Sequence, residues 1–429
     1  MVHVPNDPTR PLDGLTRRVL LRASCGAGVA GFLSTLAGCS LDDVLRRGAS
    51  DALPSGTPIL VLVTLYGGND GLDMVVPHAD PAYAAARGEL AQDPTTVLDL
   101  GDGLGLNQAL PALKAEWEAG HLAIVRGVGY PKPDRSHFRS MDIWQTAAPD
   151  APEQTGWLGR WLDATAGASP DPLQALTIGS VLPPAMVGAQ RAAATLELGM
   201  PVRKPAWTTR LRALAGETVE GDVSSLVGRS YADALAVDDR ILPMIDGTGS
   251  AADPLDEDSE APEKVGRKGN AGNIGAQLDL VSTCIRAGSP TRAYSVSLNG
   301  FDTHAAERET HRALLGYLDS ALKDFRASLA GDDRAEDVVV LAHSEFGRRV
   351  RANAADGTDH GTAGPVLLLG DGVKGGFHGD QPSLTDLSDG DLKVTTDFRS
   401  VYAAVLERVL GTDPRQVLSG APPALPLFA

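Results

Sequence analysis

Five short segments of this 429-residue chain carry the side chains that could do chemistry. Gly67-Gly68-Asn69-Asp70-Gly71 follows an apolar run. Its glycines allow a backbone to approach a ligand closely, and Asn69 and Asp70 offer hard oxygen donors, although the same residues also make an ordinary turn. Asn299-Gly300-Phe301-Asp302-Thr303-His304 follows another apolar run, and Asp302 with His304 supplies the carboxylate and imidazole that zinc or manganese accepts. Capping of the next helix by Asp302 or Thr303 would explain the first residue but leave His304 without a purpose. His311, two helical turns further on, reads as a packing or surface histidine. His343-Ser344-Glu345-Phe346-Gly347-Arg348 sets a carboxylate, a hydroxyl and a guanidinium together, a combination suited to a metal beside an oxyanion. Thr358-Asp359-His360-Gly361 adds one more imidazole. Pro133-Asp134-Arg135-Ser136-His137-Phe138 opens a helix, where Ser136 would meet free backbone N–H groups and could face an anionic substrate. A nearby cation would make that hydroxyl a nucleophile, while plain capping by Asp134 or Ser136 accounts for the same residues.

The elements that must position these segments alternate along the chain. Ile59–Tyr66 (ILVLVTLY) is a continuous apolar run, as expected of a strand covered on both faces of a parallel sheet. Helical patterns follow near 81–90 and 109–119, a strand at 122–127, and helices at 136–147 and 156–164. Residues 170–250 mix short strands, prolines and a helix near 222–236. Residues 247–273 are the least foldable stretch and read as a surface loop whose acidic run is solvated or, less commonly, binds calcium. Helix 274–287, strand 293–298, helix 305–330, strands 337–342 and 365–370, and helix 398–410 complete the order. Such alternation predicts an α/β fold, a mostly parallel sheet with helices on both faces and loop insertions. Ligands of such sheets lie beyond the carboxyl ends of the strands, where most of the polar segments fall.

Other chemistries lack their signatures. The glycines after the first strand fit neither GxGxxG nor GxxxxGK[ST], and Gly228-Arg229-Ser230-Tyr231-Ala232 lacks the last glycine of a GxSxG elbow. Cys284 stands among Leu280, Val281 and Ile285 as an inert core thiol, and three cysteines make no disulfide framework. With 38 basic and 55 acidic residues the net charge is −17, which argues against nucleic acid as a partner.

The first 58 residues have a different purpose. Thr16-Arg17-Arg18-Val19-Leu20-Leu21-Arg22 resembles a twin-arginine export signal, and Leu36-Ala37-Gly38-Cys39 resembles a lipoprotein cleavage box. Residues 1–38 are therefore expected to be removed, Cys39 to carry lipid, and 39–58 to form a flexible tether to a single domain spanning 59–429. The expected partners are the twin-arginine machinery and a membrane reached through the lipid, and the expected location is the periplasm or the outer cell surface.

Taken together, LYGGNDGLDMVVP, RSHFRSMDIWQT, NGFDTH, SEFGR and GTDHG resemble the secreted bacterial family of domain of unknown function 1501. That family is similar to the alkaline phosphatase and sulfatase superfamily. The resemblance implies an alkaline-phosphatase-like fold with one or two divalent metals (zinc, manganese or calcium) beside a nucleophile. By it, Asp70 resembles the first-strand metal bridge, Ser136 stands at the nucleophile position, Asp302 and His304 resemble the middle ligand pair, and His360 resembles the last ligand. Asp302 and His304 are two positions apart where the superfamily has four. Ser344-Glu345 replaces its Asp-His pair, which removes a nitrogen ligand. No Cys-x-Pro-x-Arg element is present, so a formylglycine sulfatase is not supported.

The resulting expectation is an exported, lipid-anchored, metal-dependent hydrolase of phosphate, phosphodiester or sulfate esters. Ser136 would attack, Arg348 would clamp the oxyanion, and Asp70, Asp302, His304, Glu345 and His360 would hold the metal. The alternative is a non-catalytic envelope binding or assembly protein with the same fold and a degraded metal site.

Overall fold

The computed structural model describes residues 53–167, 171–198, 237, 240–241 and 273–429. The export and lipidation residues Arg17, Arg18 and Cys39, the expected helix at 222–236 and the loop 247–272 lie outside the described residues.

Nine strands form the main sheet. Its centre is β1 (Ile59–Tyr66), buried along almost its whole length. β1 pairs in parallel with β8 (Ala293–Asn299) on one side and β9 (Val338–Ser344) on the other. Beyond β8 come β6 (Ala175–Ile178) and β7 (Ala194–Leu196), also parallel. Beyond β9 comes β12 (Gly364–Leu369), antiparallel to both β9 and β5 (Leu122–Gly129). β13 (Gly376–His378) and β14 (Thr396–Asp397) run parallel to β5. The mostly parallel α/β sheet expected from the alternation is therefore present.

Continuous apolarity in β1 has a direct cause, because successive side chains of a strand point to opposite faces. Ile59, Val61, Val63 and Leu65 join one core cluster, and Leu60 and Leu62 join the other. The first cluster is covered by α3 (Pro111–Glu118), α6 (Ile274–Arg286) and α7 (Glu307–Leu329). The second is covered by α4 (His137–Thr146), α5 (Trp157–Ala164) and α8 (Phe398–Arg408). Cys284 is fully buried in the first cluster, and burial pushes its thiol up to about 12, as suits a packing residue.

Strand polarity gathers the polar segments. β1, β5, β8 and β9 all point the same way, so residues 67–70, 130–136, 300–304 and 345–347 emerge at one edge. β12 runs opposite, so its start lies at that same edge. The segment before it forms a hairpin, β10 (Arg348–Ala352) with β11 (Thr358–His360), in which Arg348 stands opposite His360. The expected loop at His360 is thus a strand, and β9 extends two residues past its expected end to take in His343 and Ser344. A separate three-stranded sheet of β2 (Val75–Val76), β3 (Leu98–Gly101) and β4 (Leu104–Leu106) was not legible in the sequence, being made of very short strands.

Candidate metal centre

Four side chains converge where these loops meet. Oδ1 of Asp302 lies 3.4 Å from Nε2 of His137, 3.1 Å from Nε2 of His304 and 3.2 Å from Nε2 of His360. The His304 and His360 Nε2 atoms are 2.8 Å apart. His137, Asp302 and His360 each offer a ligand atom within 4.8 Å of the others.

Each imidazole is fixed through its other nitrogen. Nδ1 of His137 lies 2.8 Å from Oε1 of Glu345, and Nδ1 of His360 lies 2.8 Å from the carbonyl oxygen of Arg135. Nδ1 of His304 faces Oδ1 of Asp359 at 3.4 Å, a looser contact. Carboxylates and carbonyls only accept, so each Nδ1 carries a hydrogen, and each Nε2 is the atom turned toward Asp302. Nε2 of His137 is buried there without a hydrogen-bond partner.

Proximity to charge moves several pKa values. Burial tends to raise the Asp302 carboxyl, but the hydrogen bond from the Arg348 guanidinium and its charge outweigh it and hold the group at about 2. The hydrogen bond to Glu345 raises His137, opposed by its partial burial. Burial lowers His360. Glu345 is lowered because hydrogen bonds from His137, Gly67 N–H and Ser344 outweigh the cost of burying it.

The remaining expected site residues have other contacts. Asp70 is fully buried in a two-pronged ion pair with Arg87, the last residue of α2 (Pro81–Arg87), and also caps α1 (Gly71–Met74), accepting from Leu72 N–H at 3.1 Å. The expectation that it reaches a metal meets a carboxylate already matched by a buried guanidinium. Glu345 faces His137 and lies behind it, where it orients the imidazole. Arg348 is 1% exposed, and all three of its guanidinium nitrogens are engaged. Nε donates to Gly68 O at 2.7 Å, Nη1 to Thr358 O at 2.8 Å, and Nη2 to Asp302 at 2.7 Å and Phe301 O at 2.9 Å. An oxyanion clamp needs free donors, whereas this arginine ties the loops together and orients Asp302. Ser136 is exposed at the start of α4, and its side chain makes no capping hydrogen bond. Neither Asp302 nor Thr303 caps α7, whose N-cap is Ala306.

Two glycines make the convergence possible. Gly67 (φ +117°) crosses the Asp302 loop so closely that a Cβ would lie 2.4 Å from Asp302 N. Gly68 (φ +75°) leaves room for Phe346, whose ring packs 4.9 Å from those of His137 and His360.

Sequence reasoning passed over His137. Its signal was the imidazole beside Ser136, which the hydroxyl overshadowed. His311 is fully buried between Asp73, at 2.6 Å, and Asn69, at 2.9 Å, so it packs and does not join the centre. His343 is also buried, stacked on Trp144, and burial lowers it to about 4.

The donor set suits a cation. Metal–nitrogen bonds of about 2.0–2.1 Å in a tetrahedron imply ligand separations of roughly 3.3 Å, close to the spacings around Asp302. Three imidazoles and one carboxylate favour zinc or manganese over calcium, which takes oxygen ligands.

The profile of a family described as "Protein of unknown function (DUF1501)" matches residues 124–421. No curated protein matches the chain. Among solved structures, the chain is similar to a protein in the alkaline phosphatase superfamily from Vibrio parahaemolyticus, at 10% identity and TM-score 0.41, covering 90% of this chain and 78% of that one. It is also similar to the lipoteichoic acid synthase LtaP from Listeria monocytogenes, at 9% identity and TM-score 0.36, covering 89% and 80%. A third similarity is to a phosphonate monoester hydrolase from Silicibacter pomeroyi, at 11% identity and TM-score 0.32, covering 86% and 77%.

Proposed function

This chain belongs to the family described as "Protein of unknown function (DUF1501)", and from that premise we propose that it is an exported, lipid-anchored hydrolase of phosphate, phosphodiester or sulfate esters working with one divalent cation. One observation carries the reading. Three imidazole Nε2 atoms converge on the Asp302 carboxylate that Arg348 also contacts, and two of these nitrogens are 2.8 Å apart. Two imidazole nitrogens that close need a proton or a cation between them.

His137, Asp302, His304 and His360 would hold the cation, with Glu345, Arg135 O and Asp359 fixing the imidazoles from behind. The bound cation would supply positive charge beside the ester and lower the pKa of a neighbouring hydroxyl. Ser136 is the nucleophile in this reading, its hydroxyl uncommitted at the start of α4, where backbone N–H groups can face an anionic ester. Arg348 holds Asp302 ionised and in place. Export and anchoring rest on the Arg17-Arg18 and Cys39 motifs, and Cys39→Ala should release the protein from the membrane.

A second reading, a non-catalytic envelope protein with the same fold, is favoured by one observation. Asp70 and Glu345, the residues a second cation would need, are committed to Arg87 and His137. Elemental analysis and a screen of aryl phosphate, phosphodiester and sulfate esters separate the two readings. We expect about one equivalent of zinc or manganese, and Ser136→Ala should abolish turnover while keeping the metal. Full activity in that variant would remove Ser136 from the mechanism. Less than about a tenth of an equivalent after folding in metal-replete medium would favour the second reading.

A further inference from the structure

Asp391 lies away from the four converging side chains, yet it is completely buried. Its two oxygens hold two different arginines. Oδ2 accepts from Arg135 Nε at 2.8 Å and also from Arg135 Nη2, and Oδ1 accepts from Arg349 Nε at 3.2 Å. Arg135 supplies the carbonyl that fixes Nδ1 of His360. Arg349 follows Arg348 on β10, the strand paired with the one that carries His360. The residue after Asp391 closes a third link, since Leu392 O accepts from the Thr362 hydroxyl, two positions past His360, at 2.5 Å. The loop around Asp391 therefore grips His360 from its hydrogen-bond acceptor, from its paired strand and from its own chain.

We propose, resting on the reading that His360 is a cation ligand, that Asp391 is the positioning residue that sets the tautomer and direction of its imidazole. The physical chain is short. A buried carboxylate bridging two guanidiniums is geometrically demanding, because its own charge is fully buried and only these two part-exposed arginines match it. That demand fixes Arg135, and the Arg135 carbonyl can only accept a hydrogen bond. Nδ1 of His360 must then be the protonated nitrogen, leaving Nε2 with its lone pair toward Asp302 and His304. Asp389 also contacts Arg135, at 2.9 Å, but its side chain is 80% exposed and solvent screens it. It cannot impose the same constraint.

The test uses Asp391→Asn, which keeps the shape and removes the charge, with Asp389→Asn as the exposed control. Long-range proton–nitrogen NMR spectra of the metal-free protein, with the His360 signals assigned from a His360→Gln variant, report the tautomer directly. Wild type and Asp389→Asn should show the Nδ1–H form alone, and Asp391→Asn a mixture of both. Zinc affinity measured by calorimetry should fall about 10–100-fold in Asp391→Asn, the usual effect of removing an outer support of a ligand. An unchanged His360 tautomer in folded Asp391→Asn would overturn the proposal. Should that variant fail to fold, Arg135→Gln with Asp391 intact gives the same readout, and an unchanged tautomer there would overturn it equally. A fixed tautomer that responds to Asp391 in a protein that takes up no metal would sink the cation reading alone, leaving the positioning role standing.

Discussion

At Asp302 a half-exposed carboxylate is contacted by a buried guanidinium and faced by three imidazoles. Its low pKa comes from those contacts, which keep its oxygens ionised. His137 is the most informative neighbour, because Glu345 holds its Nδ1 and leaves its buried Nε2 unpaired. His137→Ala should therefore weaken zinc binding at least tenfold in calorimetry with little change in thermal stability. Unchanged affinity would restrict the centre to Asp302, His304 and His360. The sequence points to Asp302 and His304 because they follow an apolar run, and to His360 because it precedes one. Asp70, Glu345 and Arg348 also follow apolar runs and carry the same weight in the sequence, and only the partners each has already taken rank them.

Among the elements, the loop after β1 and the start of α7 are joined by buried charge. Asp70 pairs with Arg87, and the Glu307 carboxyl, 2% exposed, accepts from Thr358 Oγ1 at 2.6 Å. Burial raises the pKa of Glu307, and the negative charge of Asp70 raises it further. A carboxyl whose folded pKa lies above its unfolded value favours folding below the unfolded value, near 4.5. That contribution is lost as pH rises through the folded pKa. Thermal stability of the wild type should thus decline more steeply between pH 5 and about 9 than that of Glu307→Gln, followed by calorimetry at matched ionic strength. Parallel slopes would mean that Glu307 is ionised in the folded protein. None of this was legible beforehand, because Arg87 and Glu307 lie in segments that read as ordinary amphipathic helices.

Over the whole molecule, the sheet gathers loops from distant parts of the chain at one edge, so a bound cation would cross-link β5, β8 and β11 segments. A ligand that binds only the folded state stabilises it by mass action, by about 2.7 kcal/mol when present at a hundred times its dissociation constant. Adding zinc to metal-free protein should therefore raise Tm by a few degrees, and a chelator should reverse the rise. No shift for zinc or manganese would count against a cation bridging these strands. His360→Ala should show no such shift while keeping the metal-free Tm of the wild type.

By itself the sequence determined the α/β class and the strand ends where chemistry would gather. Both follow from local pattern: Ile59–Tyr66 has no polar face and so must be covered on both sides, and loops after such strands share an edge. It also determined the residue types of the centre. Which of them meet was decided only by tertiary structure, because a hydrogen-bond partner such as Arg87 for Asp70 or Glu345 for His137 stands 17 or 208 positions away. Spacing along the chain carries no information about such distant pairings. A buried carboxylate is a ligand or a structural ion pair according to which cation reaches it first, and that is settled by packing.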